Sequence, residues 1–221
     1  MIAGLRAGWR GIRHLNRAGY VYIWCNVAWA LLTLLVITAP AAWAGMVRLS
    51  WTAQRQPTAG WDDFWAGFKE HLGRGVLLAF ANVIFFGIAI TNWLVYAPAE
   101  GELYTVLRVL WAFSIVAVVT LELALFPLYY AMAEPTLIGA LRNAAVMIVR
   151  NPFFTIGLML AVSVVVAFST LLPLAWLLIT GGALASIMTA GVIDRLRFAG
   201  VLPAEEPVSY LVDPHFGDTT L

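Results

Sequence analysis

One acidic side chain is placed where it could do chemistry. Glu122 sits deep inside an apolar stretch, where an unpaired carboxylate costs roughly 2.5 to 3.5 kcal/mol on insertion scales. It must therefore face a helix interface or a water-filled cavity. Two roles fit: a proton-linked or substrate-binding carboxylate, or a neutral glutamic acid whose hydrogen bonds fix helix packing. Asn82, Asn92, Thr120 and Arg108 are its candidate partners, and Glu122, Asn82 and Asn92 form the candidate intramembrane polar site. Asn26, Asn82 and Asn92 can also act as interhelical hydrogen-bond glue worth on the order of 1 kcal/mol.

The other reactive residue types are sparse. His14, His71 and His215 lie far apart without ligand spacing, and Cys25 is the single cysteine. No thiolate metal site or intramolecular disulfide can form, and no zinc or haem pattern is present. With no clustered carboxylates either, the sequence carries no active-site motif, so neither an enzyme nor a cofactor is expected. The net charge of +1 argues against nucleic acid, whose recognition needs a clustered basic face.

Lipid must position these residues. Hydrophobic residues make up 62% of the 221, and charged ones 11%, far from a soluble average. The apolar blocks reach or exceed the roughly 20 residues that cross a bilayer core of about 30 Å. In lipid their backbone amides must pair internally, which makes them helices. The expected fold is all-α, a polytopic transmembrane helical bundle with amphipathic interfacial helices, one domain over 1–200.

Residues 1–19 combine Leu5, Trp9 and Ile12 at helical spacing with Arg6, Arg10, Arg13 and Arg17, an amphipathic helix for the membrane surface. The block 20–47 breaks at Thr38-Ala39-Pro40, where proline removes a helical hydrogen bond. As helix it measures about 42 Å, which serves either one kinked crossing or a re-entrant hairpin. Trp61, Phe64, Trp65, Phe68 and Leu72 give 61–73 the pattern of an interfacial helix. Four clear spans follow at 76–96, 103–132, 153–172 and 174–193, the last two separated by a turn at Pro173 or at Gly181-Gly182. Between them, 134–152 reads as a further amphipathic helix with Leu137, Ile138, Leu141, Ala145, Ile148 and Val149 on one face. Gly157, Gly181, Gly182 and Gly191 are expected as close-contact points, and Trp61, Trp65 and Trp93 as an interfacial belt. Beyond residue 200, the acidic and proline-bearing segment 201–221 cannot form a core and is expected to be a flexible tail.

Arginine and lysine in the short loops set the orientation. Arg48, Arg55, Lys69 and Arg74 mark one cytoplasmic loop, Arg142 and Arg150 another, and Arg195 and Arg197 place the C-terminus in the cytoplasm. The four N-terminal arginines point the same way, which requires a hairpin at 20–47; a crossing there reverses the N-terminus.

The order of several short motifs resembles one family. Asn26 and Trp29 precede the break at Thr38-Ala39-Pro40-Ala41-Ala42. Asp63-Phe64-Trp65-Ala66-Gly67-Phe68-Lys69 follows, then Phe126-Pro127-Leu128, then Leu141-Arg142-Asn143-Ala144 leading to Arg150-Asn151-Pro152. Over roughly 15–200 the chain resembles the YesL family of small bacterial multi-span membrane proteins. The family's TxGP break is here Thr-Ala-Pro, without its glycine. The resemblance implies a bacterial inner-membrane protein that serves as accessory or assembly partner of a carbohydrate ABC transport system, and it brings no catalytic residue. In that setting Glu134, Gly139, Arg142 and Arg150 mark a candidate cytoplasmic docking helix for ABC transporter subunits; a helix resting on the lipid surface accounts for the same residues. The alternative function is a small-solute or proton-linked transporter in its own right, using Glu122.

Overall fold

A computed structural model describes residues 1–15, 19–56 and 58–203; Arg17, His215 and most of the expected tail, 204–221, lie outside the described residues. Every regular element among them is helical. The helices are α1 (Ile2–Leu15), α2 (Tyr20–Leu34), α3 (Ala39–Arg55), α4 (Trp61–Tyr96), α5 (Glu102–Ala131), α6 (Leu137–Arg150), α7 (Pro152–Leu171) and α8 (Gly181–Phe198), with a π-helical turn, Trp176–Thr180, running directly into α8.

The block 20–47 is two helices that reverse on each other. α2 ends at Leu34, the chain turns through the left-handed residue Val36 (φ 55°), and Pro40 enters α3 in its first turn, where its missing N–H leaves nothing unpaired. The pairing is antiparallel: Thr33 lines one cavity with Ala39 and Pro40 near the tip, while Tyr22 reaches Ser50 at the open end. With 15 and 17 residues, the helices measure about 22 and 25 Å. Neither alone matches a bilayer core of about 30 Å.

Residues 61–73 and 76–96, read separately in the sequence, form the single 36-residue helix α4, about 54 Å long. Gly73 and Gly75 lie inside it. The helix persists because its first half is clamped along α3 in antiparallel register. Thr52 donates to Asp63 Oδ1 (3.1 Å), Arg48 donates to Glu70 Oε2 (2.7 Å), and Gly75 abuts Ala41. Gly45 and Gly67 bring the two backbones together, a Cβ on Gly67 lying only 3.0 Å from Gly45 Cα. The buried face of this half is Phe64, Gly67, Phe68, His71 and Gly75. Leu72 and Trp61, members of the predicted stripe, point outward. The stripe is thus divided between a protein contact and the outside.

α8 is the centre of the molecule. Its most apolar stretch is 78% buried by protein, against 17% in α4 and 22% in α5. α7 runs beside it, with Leu158 against Gly191 and the Arg195 guanidinium 4.0 Å over the Phe154 ring. The turn between them falls at Pro173, and Gly181-Gly182 continues the helix. Gly181 carries no side chain because the Trp29 indole occupies that space, 2.5 Å from where a Cβ would stand.

α1 docks mainly through small residues, with Ile12 alone of the predicted apolar stripe packed against the core. Its buried face is Gly4, Ala7, Gly8 and Gly11, docked against α7 and α8, the small-residue close approach of membrane helix pairs. Ser186 Oγ donates to the Gly11 carbonyl (2.6 Å) and Arg10 pairs with Asp194. Leu5 and Trp9 remain exposed.

Candidate functional site

The hairpin tip of α2 and α3 does not close against α4, α5 and α8. It leaves a cavity of about 220 Å³. Aromatic walls come from Trp29, Trp43 and Phe126, and aliphatic ones from Leu78, Val119, Leu123 and Leu184. The polar groups are Glu122 of α5, Asn82 of α4 and Thr33 of α2; no basic residue lines it. Asn82 stands beside the Glu122 carboxyl. Thr33 Oγ1 and Trp43 Nε1 are buried and have no hydrogen-bond partner among the described residues. Both can donate to a guest, while the Glu122 carboxyl can accept from one. A half-enclosed apolar chamber with a few convergent polar groups is the usual form of a small-molecule site.

Of the partners considered for Glu122, the fold brings Asn82 alone to it. Asn92 lies ten residues further along α4 and donates to the Ile88 carbonyl of its own helix (3.0 Å). Thr120 donates back to Val116 (2.7 Å), and Arg108 bonds Ala97 O and Thr105 Oγ1 at the far end of the α4–α5 hairpin.

A second polar group, one turn along α5, has no sequence signal. His71 is fully buried, with rings on three sides: Tyr129 at 4.6 Å, Phe126 at 5.0 Å and Tyr130 at 5.8 Å between centroids. Neither ring nitrogen has a hydrogen-bond partner among the described residues; the Glu70 carboxylate lies 3.6 Å from Nε2. Glu70 itself accepts from Arg48 and from the Tyr129 hydroxyl (3.3 Å), and the Tyr130 hydroxyl donates to the Ala44 carbonyl (3.3 Å). Phe126 belongs to both groups, walling the Glu122 cavity on one side and covering His71 on the other. The spacing of histidines in the sequence hides this cluster, because α5 supplies its rings from more than fifty positions away.

The candidate docking helix is α6. Thr136 caps it, its hydroxyl accepting from the Gly139 N–H (3.1 Å), so the helix begins at Leu137 and Glu134 precedes it, exposed. Ala140 and Ala144 form the buried face. Arg142, Arg150, Ile138, Leu141 and Val149 all point outward.

Among the described residues no cluster of histidine, cysteine and carboxylate side chains has the makings of a metal site. Four helices, including the continuous Trp176–Phe198 segment, are long and apolar enough to cross a bilayer. Together with the apolar outer surface of α4, α5 and α7, they define a polytopic α-helical membrane protein. Comparison with known proteins adds no narrower class, for no family model, curated protein or solved structure matches the chain.

Proposed function

We propose that the protein is a non-enzymatic carrier for a small solute, with Glu122 as the polar centre of its binding chamber. The observation that carries this reading is that Glu122, partly buried well inside the apolar helix α5, opens onto a cavity. Part of the chamber wall is also interrupted helix, with Thr33, Ala39 and Pro40 flanking the reversal between α2 and α3. A reversed pair of short helices faces a π-turn, and Asn26 joins them. Irregular backbone at membrane depth is tolerated where it is buried in protein or lines a cavity, and carriers commonly build their sites from such broken helices. The arginine distribution and the resemblance to YesL proteins support a bacterial inner-membrane location with the C-terminus cytoplasmic. Reconstituted into proteoliposomes, the protein should move at least one member of a panel of radiolabelled sugars, amino acids and amines, and Glu122→Gln should abolish that flux. Unchanged flux in the variant, or none for any member in the wild type, would remove the reading.

A second reading makes the protein an accessory partner of a carbohydrate ABC transport system. It is supported by α6, whose outward face presents Ile138, Leu141 and Val149 beside Arg142 and Arg150. Gentle purification that retrieves transporter subunits, lost on Ile138→Glu, would favour it over the carrier.

A further inference from the structure

A second groove, sharing no lining residue with the Glu122 chamber, lies where α1 crosses the end of α8. We propose that this groove is a binding site for an anionic phospholipid. It has a volume of about 670 Å³ and is open along one side. One wall is apolar and exposed, formed by Ile2, Leu5 and Trp9 of α1, with Trp9 56% accessible. The other is cationic: three guanidiniums, those of Arg6, Arg10 and Arg195, are set around a single carboxylate, Asp194.

The charges within this wall are not balanced. Asp194 pairs with Arg10 and with Arg195 (Nε to Oδ2, 3.1 Å). Arg195 is further fixed between the Phe154 and Phe198 rings, at 4.0 and 4.7 Å. Arg6 takes no ion pair or hydrogen bond with any described residue, and it projects from the same stretch of α1 as Leu5 and Trp9. The groove therefore holds a positive excess beside a hydrophobic slide.

Those two properties together select the occupant. A phosphodiester answers the excess charge at Arg6 and Arg10, and an acyl chain covers Leu5 and Trp9. A free inorganic anion leaves the apolar wall wet, and the volume is many times what it needs. A zwitterionic lipid brings its own ammonium to a wall that is already cationic. Basic pockets between membrane helices are a recognised setting for anionic head groups, and arginine is the side chain best matched to phosphate oxygens. Because α1 seats its glycine face on α7 and α8 while showing this groove outward, a lipid bound here also braces the α1 docking.

The test uses the full chain, delipidated in detergent and titrated with dioleoyl phosphatidylglycerol or dioleoyl phosphatidylcholine under native mass spectrometry. The wild type should hold phosphatidylglycerol at least about fivefold more tightly than phosphatidylcholine. Arg6→Ala should erase about fivefold of that affinity, the equivalent of roughly 1 kcal/mol per basic residue at a lipid surface, and leave phosphatidylcholine unchanged. Arg6→Lys should keep most of it. Leu5→Ser, on the apolar wall, should weaken phosphatidylglycerol independently of any change in charge. Equal affinity for the two lipids would overturn the proposal. So would an Arg6→Ala protein that binds phosphatidylglycerol as the wild type does, or displacement of the lipid by millimolar inorganic phosphate, which would mark an anion site without lipid recognition.

Discussion

Asn26 gives the sharpest test of how the bundle is held. It is completely buried, and its amide spans two broken elements: Nδ2 donates to the Trp176 carbonyl (2.9 Å) and Oδ1 accepts from the Gly182 N–H (2.8 Å). The π-turn between those residues widens the hydrogen-bond ladder and turns backbone groups outward. α2 supplies the side chain that answers one donor and one acceptor. Asn26→Ala leaves both orphaned in an apolar interior, where each unsatisfied group costs about 1–3 kcal/mol. Measured interhelical bonds in membranes are smaller, averaging about 0.6 and reaching about 1.7 kcal/mol. Two such bonds plus the vacated volume give an expected loss of about 2–4 kcal/mol. Asn26→Leu restores the volume without the hydrogen bonds and should recover less than half of that. Equilibrium unfolding by SDS in mixed micelles measures the loss, and hydrogen exchange over 176–182 should accelerate in both variants. If Asn26→Leu is as stable as the wild type, or exchange at Gly182 is unchanged, the amide is not what holds the hairpin to α8.

Two further substitutions probe the α3–α4 clamp. Gly67→Leu must push α3 and α4 apart, since even a Cβ lies 2.9 Å from Arg48 Cβ; it should cost about 1–3 kcal/mol or more as overpacking. Gly73→Ala, where a Cβ meets nothing within 4 Å, should gain up to about 1 kcal/mol of helix propensity, and equal effects of the two on thermal unfolding in detergent would refute the clamp. His71→Phe removes two buried nitrogens that have no hydrogen-bond partner among the described residues and keeps the ring among Phe126, Tyr129 and Tyr130. It should be neutral or stabilising by about 1 kcal/mol, and a loss of more than 1 kcal/mol in the same unfolding assay would show that Glu70 supports the imidazole.

What could be read in advance was whatever a single segment determines. Apolar block length marks the spans, and Pro40 and Pro173 mark reversals because proline suits the start of a helix, whereas Pro127 lies within α5 without ending it. Close approach was legible in part: Gly157, Gly181, Gly182 and Gly191 all prove to be contact points. In α1 the same signal, Gly4, Gly8 and Gly11, lay beneath a stronger pattern of arginines with Leu5, Trp9 and Ile12. That pattern favours a surface helix, yet the glycines decide the docking. Pairings across the bundle could not be read. Nothing local distinguishes Asn82, which reaches Glu122, from Asn92, which bonds its own helix; only the antiparallel register of α4 and α5 separates them. His71 is hidden for the same reason, its surroundings being assembled from another helix.

The packing of the chamber is lopsided, and that bears on how a carrier of this kind would work. On one side Trp29 is pressed into the gap left by Gly181 and Asn26 locks the hairpin to the π-turn and α8, so separating the hairpin from α8 must break those contacts. On the other, Glu122 and Asn82 ride on α4 and α5, whose apolar stretches are mostly uncovered by protein. Movement is least costly where few packed contacts and bonds must break. Opening by displacement of the part of α4 beyond the Gly75–Ala41 contact, with the first half of α5, would sacrifice mostly lipid-facing surface that lipid can cover again and leave the α3–α4 clamp in place, whereas opening through the hairpin would orphan the buried carbonyl and N–H that Asn26 satisfies. In a carrier, Asn82 would thus be mounted on the part of the chamber wall that can swing, and Trp29 and Trp43 on the part that cannot.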